Sequence, residues 1–210
     1  MTLELFYNTK IAESLNAAGC NLRPDYLFKI TAGGATKFFI LDAKYRNYER
    51  QGFNYWREKD LRGICADKYM TEIKNSVGVK ISAAFIVHSD RTPDDYGRFI
   101  GKYVVYNGTT DKRCKDFFSD LDGANQQVGS FYLLPNVEDS APNQSELNLS
   151  LFFKLIFEYF MEQWRHCWEC DTPAKVEQHE TRGGYPKYYM RCENCGAFWV
   201  KNHCGKCATQ

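Results

Sequence analysis

RPDYLFKI (residues 23–30) and FFILDAKYR (residues 38–46) are two apolar runs on either side of TAGGAT (residues 31–36), and the way they pair decides the fold. The adjacent glycines Gly33 and Gly34 tolerate positive φ, so Asp25 to Ile30 and Lys37 to Arg46 read as the strands of a hairpin. Residues two apart in a strand share a face. Asp42 and Lys44 therefore project the same way, and the hairpin brings Asp25, at the entry of the first strand, alongside them. The pair follows four consecutive apolar residues at the mouth of a buried strand, where charged groups are costly unless they have a task.

Further elements surround the hairpin. Leu3, Leu5 and Tyr7 alternate with Glu4, Phe6 and Asn8 and predict a short strand, with a helix running on to Leu15 as the alternative. Asp60 reads as an N-cap, and Leu61, Ile64, Cys65, Tyr69 and Ile73 recur at helical spacing over residues 61–75. ISAAFIVH (81–88) has the character of a strand buried on both faces. KYVVYN (102–107) and SFYLLP (130–135) predict two more strands. Asn143 and Glu146 resemble a capping box that opens a helix to about Trp164. Within it, LNLSLFFKLIFEYFM (147–161) is too short to span a bilayer and contains Lys154 and Glu158, so it reads as a buried helix. This order predicts an α/β domain over residues 1–164, a mixed sheet flanked by helices, followed by a second unit over 165–210.

Composition narrows the function classes. The chain has 210 residues, 44% hydrophobic and 16% aromatic, which excludes disorder. Lys and Arg number 27 against 26 Asp and Glu, so any nucleic-acid binding must come from local patches. MTLELFYNTK has no basic segment followed by an apolar one. The expectation is a cytoplasmic, reducing setting with no membrane partner, in which free thiols survive to bind metal.

Of the nine cysteines, Cys20, Cys65 and Cys114 are scattered, whereas the other six form three Cys-x2-Cys pairs near the C-terminus. Cys167–Cys170 and Cys192–Cys195 flank a segment with Gly183-Gly184 and the strand-like YPKYYM (185–190). Two such knuckles across a hairpin complete a tetrahedral Zn2+ site of four thiolates. CENCGAFWV (192–200) resembles a zinc ribbon, and zinc would supply most of the folding energy of so small a unit. Cys204 and Cys207 are further candidate zinc ligands, either in place of the first pair or at a second ion with His203 and His166. His88 and His179 read as bystanders, and Cys65 as core.

The hairpin trio has a chemical use. Paired carboxylates are poor neighbours unless a hard cation neutralises them, and Mg2+ accepts one or two carboxylates plus water and phosphate oxygens. The cation polarises a phosphodiester and activates water, while a nearby lysine positions that water or offsets charge at phosphorus. The Arg-Pro-Asp of residues 23–25 and the Asp-Ala-Lys-Tyr of residues 42–45 resemble the hallmark of the PD-(D/E)xK nuclease superfamily. More narrowly, they resemble the nuclease subunit of McrBC-type restriction systems, with the similarity continuing through DKYM (67–70), ISAAFIVH and GSFYLLP (129–135).

The resemblance implies a restriction-endonuclease-like fold over roughly residues 3–160. It implies Mg2+ or Mn2+ held by Asp25, Asp42 and the Ala43 carbonyl, and Lys44 as the catalytic lysine. It also implies an endonuclease that cuts foreign or modified DNA under an AAA+ NTPase partner. Lys68 is a weaker candidate for contacting the scissile strand. Relatives usually carry a glutamate on a helix before the first strand; Glu4 and Glu13 are the nearby substitutes. The alternative is an inactive module that binds nucleic acid or scaffolds a complex. Arg46 and the basic, aromatic loop from Asn47 to Lys59 suit phosphate contacts and base stacking, and equally suit packing on the core. The sequence leaves self-association open.

Overall fold

The computed structural model describes residues 1–45, 59–89, 102–106, 109–112, 127–133, 149–150, 152–184 and 186–202. The hairpin forms from β2 (Tyr26–Ala32) and β3 (Ala35–Lys44), which pair antiparallel with Tyr26 opposite Leu41 and Ala32 opposite Ala35. The register leaves Gly33 and Gly34 as a two-residue turn at φ 55° and 78°, a conformation that side chains resist. β1 (Thr2–Tyr7) adds to the outer edge of β2. The strand reading of this segment therefore holds, and helix is confined to α1 (Ile11–Leu15).

From β3 the chain returns to β4 (Ala83–His88), which lies parallel to it. A parallel pair needs a crossover, supplied by α2 (Leu61–Glu72), a helix of π-type hydrogen bonding that runs directly into the α-helical α3 (Ile73–Val77). Two strands, β5 (Lys102–Tyr106) and β6 (Thr109–Lys112), form a separate hairpin. β7 (Val128–Tyr132) joins the far side of β4 in parallel, and the mixed five-stranded sheet has the order β1-β2-β3-β4-β7.

Strand alternation sorts the core into two layers. Phe28, Ile30, Phe39, Leu41 and Phe85 face α4 (Leu155–Phe160) and Phe152 just before it. Leu27, Ile40, Ala84 and Ile86 face Leu61, Cys65, Tyr69 and Ile73 of α2 and α3. Because β4 is covered on both sides, its sequence is apolar at almost every position rather than alternating. The last helix ends sooner than the capping-box reading has it: Glu162 adopts φ 49° and a 3-10 turn, Gln163–Arg165, follows. Its predicted cap at Asn143 and Glu146 lies outside the described residues. Among the described residues no helix is long and apolar enough to cross a membrane.

The C-terminal unit is a three-stranded antiparallel sheet of β8 (Lys175–Glu180), β9 (Pro186–Arg191) and β10 (Phe198–Asn202), with β9 in the centre. It has more core than its length suggests. Tyr188 and Met190 are buried, the Trp164 ring lies 4.9 Å from Tyr188, and Trp199 Nε1 donates to the Trp164 carbonyl at 2.8 Å.

Candidate active site and thiolate cluster

Asp42 follows Ile40 on the face of β3 that packs against α2, and only 4% of it is exposed. A carboxylate so buried requires partners, and it has two. Its Oδ1 accepts the Tyr69 hydroxyl proton at 2.6 Å, and its Oδ2 is ion-paired with Lys44, two residues along the same strand face. Tyr69 is fully buried on α2. Burial first, then the hydrogen bond to Asp42 and the charges of Asp42 and Asp25, push its phenol above the ordinary value of 10.0, so it stays a neutral donor.

Asp25 is fixed from the other strand. Its Oδ2 accepts the Ala43 N–H at 2.7 Å, and its carbonyl accepts the Asn8 N–H at 2.9 Å. Since Ala43 lies between Asp42 and Lys44, the entry of β2 is tied to the exit of β3 where the charged pair sits. Lys68 reaches the same place from α2, with Nζ 3.3 Å from the Tyr69 hydroxyl and 4.7 Å from its ring centre. The structure thus brings Asp25, Asp42, Lys44 and Lys68 together at one end of the sheet. Arg46 lies outside the described residues, as do residues 47–58 of the aromatic loop.

Two residues at this end were not singled out from sequence as part of it. Tyr69 stands in the sequence only as one of the residues at helical spacing along α2; its partner is evident only once α2 is laid on β3. His88, read as a bystander, is 2% exposed and lies in register with Lys44 on the neighbouring strand. Cys65 is core as expected, its thiol pushed upward by burial and then by the charge of Asp42.

The second cluster lies in the C-terminal unit. Sγ atoms of Cys167, Cys170, Cys192 and Cys195 all fall within 4.8 Å of one another. Cys167–Cys195 are 3.4 Å apart, Cys170–Cys192 3.5 Å and Cys170–Cys195 3.8 Å. A tetrahedral site with metal–sulfur bonds of about 2.3 Å requires sulfurs roughly 3.8 Å apart, so the four thiols fit one metal ion.

Both knuckles have the same backbone. The N–H of Cys167 donates to the Thr172 carbonyl and that of Cys192 to the Ala197 carbonyl, while Asp171 and Gly196 return N–H bonds to Cys167 and Cys192. Asp171 at φ 52° occupies the left-handed position that Gly196 takes at 77°. The crowded thiols hold their protons unequally. Hydrogen bonds of Thr172 and then Asn194 bring Cys170 down to about 6. At Cys195 the Ala197 N–H acts to lower the thiol, but hydrogen bonds with Cys167 and Cys192 outweigh it and raise the group to about 12. A metal replaces those shared protons with one central charge. Cys204 and Cys207 lie outside the described residues. Compared with family models, with curated proteins and with solved structures, the chain gives no match.

Proposed function

We propose that this chain is a Mg2+- or Mn2+-dependent endonuclease of the PD-(D/E)xK type, hydrolysing DNA phosphodiester bonds on a restriction-endonuclease-like domain over residues 1–164. A zinc ribbon over 165–210 completes the chain. The observation that carries this reading is the convergence of Asp25, Asp42 and Lys44 at the joined ends of two antiparallel strands, in a mixed sheet backed by a crossover helix. Two carboxylates suit a hard divalent cation that takes its remaining ligands from water and phosphate. When bound, that cation polarises the phosphodiester and acidifies water.

The residues divide the work. Asp25 and Asp42 would hold the cation, with the Ala43 carbonyl as a candidate third oxygen. Tyr69 fixes Asp42 by its other oxygen. Lys44, on the same strand face as Asp42, would face the phosphate and offset its developing negative charge. Lys68 lies within reach of the same phosphate. An AAA+ NTPase partner, in a restriction or antiphage defence setting, follows from the motif resemblance alone. For the C-terminal unit, four thiolates at tetrahedral spacing favour zinc and leave no open coordination position, so its role is structural.

A second reading is a nuclease-like module without activity, which binds nucleic acid or scaffolds a complex. One observation favours it. Among the described residues, no third carboxylate, histidine or cysteine clusters with Asp25 and Asp42. Glu4 pairs with Lys29 at 2.7 Å, and Glu13 lies 3.9 Å from Lys10. Supercoiled plasmid incubated with the purified chain and Mg2+ or Mn2+ separates the two. The endonuclease reading expects nicking or linearisation, reduced at least about 100-fold by Asp42→Ala or Lys44→Ala. Equal inertness of wild type and variants, with an AAA+ partner supplied, establishes the inactive module.

A further inference from the structure

We propose that the outer face of the β8-β9-β10 sheet is a binding platform for single-stranded nucleic acid. Alternation gives this sheet two unlike faces. Val176, Tyr188, Met190, Trp199 and Lys201 turn inward, and Tyr188, Met190 and Lys201 are buried. The strand register aligns the other face in cross-strand rows, Lys175–Arg191–Phe198 followed by Glu177–Tyr189–Val200. His179 and Lys187 begin the third row.

Aromatic rings on an exposed sheet face need a reason. Phe198 is 57% exposed, and its ring stacks with Tyr189 at 6.1 Å between centres and 26° between planes. Lys187 Nζ lies 4.7 Å above the Tyr189 ring, and Arg191 stands beside Phe198 with Lys175 on its other side. The rings border an open cleft of about 630 Å³ lined also by Lys175 and Arg191 and by Glu177 and Glu193.

The occupant follows from this mixture. Three permanent cations, set against Glu177 and Glu193, around the exposed Phe198 ring and the half-buried Tyr189 ring complement a chain that alternates negative charge with flat apolar rings. A duplex hides its base faces inside the stack and offers the rings nothing. An apolar peptide would leave the cations without counter-charge. In single-stranded nucleic acid the phosphates meet Lys175, Lys187 and Arg191 while bases stack on Phe198 and Tyr189. The platform uses none of Asp25, Asp42 or Lys44 and stands whether or not the chain cuts DNA.

Fluorescence anisotropy of the full chain with a labelled oligothymidylate tests the proposal. Expected are a Kd that weakens steeply with salt and at least about 10-fold weaker binding by the Tyr189→Ala/Phe198→Ala double variant. A duplex of equal length should compete poorly. In case the double variant fails to hold metal, Lys187→Gln/Arg191→Gln, with metal content unchanged, should weaken binding about 3-fold or more. Ultraviolet cross-linking of the oligonucleotide should map to residues 175–200. Unchanged binding by the metal-replete variants, cross-links confined to other segments, or equal competition by duplex or by polyglutamate would each overturn the proposal.

Discussion

A tyrosine on the apolar side of a helix ordinarily sends its hydroxyl to water; Tyr69 aims it at a buried carboxylate. Removing that donor leaves Asp42 Oδ1 without its partner. Tyr69→Phe should therefore cost about 1–3 kcal/mol in urea unfolding. If the chain cuts DNA, the same change should slow cleavage about 10–100-fold by loosening a metal ligand. Alkaline pH supplies an independent check. The phenol is raised in the folded state, so its contribution is fully present below the ordinary value of 10.0 and is lost as pH rises toward the folded value. Stability of the wild type should fall more steeply than that of Tyr69→Phe above about pH 10, as urea midpoints measured across pH 9–12 would show. At this scale the sequence reading was uneven. Asp25, Asp42 and Lys44 announce themselves because charge interrupts an apolar run. Tyr69 and His88 carry no such signal, since their roles depend on which strand lies beneath α2 and which residue stands beside β4.

Elements were more legible than side-chain partnerships. Period-two alternation and paired glycines sufficed for β1, β2 and β3, and the continuous apolar run of residues 81–88 sufficed for a strand covered on both faces. The end of the last helix was not legible, because Glu162 takes a left-handed conformation that no glycine or proline marks. Phe152 anchors that segment, its ring within 5.1–6.1 Å of Phe28, Phe85 and Phe131. Phe152→Ala should destabilise the domain by about 3–5 kcal/mol in thermal or chemical unfolding. The hairpin turn makes a finer prediction. A Cβ on Gly33 would come 2.1 Å from His166 Cε1, whereas one on Gly34 meets open space. Gly33→Ala should therefore cost about 1 kcal/mol more than Gly34→Ala, and His166→Ala should remove the difference.

Across the whole molecule, near-neutral charge conceals an uneven distribution. Asp25 and Asp42 meet Lys44 and Lys68 at the ends of β2 and β3, while Lys175, Lys187 and Arg191 share one face of the C-terminal sheet with Glu177. Metal analysis of protein purified without chelator should find about one zinc per chain bound by the described cysteines. Cys170→Ser or Cys195→Ser should lose it and melt the β8-β9-β10 sheet, detected as loss of Trp164 and Trp199 fluorescence structure. Metal loss on acidification should follow protonation of the thiolates. The cysteine pairs made this site legible from spacing alone. The aromatic core beside it was hidden, because Trp164 and Tyr188 meet only when the strands fold back.

The contact between Gly33 and His166 gives the hairpin a mechanical meaning. β2 and β3 form a continuous hydrogen-bonded ladder, with the C-terminal unit touching its turn and the acidic residues at its open end. At about 3.3 Å per residue the paired ladder is a stiff strut roughly 23 Å long. The contact with the C-terminal unit thus stands at one end of that ladder and the two carboxylates at the other.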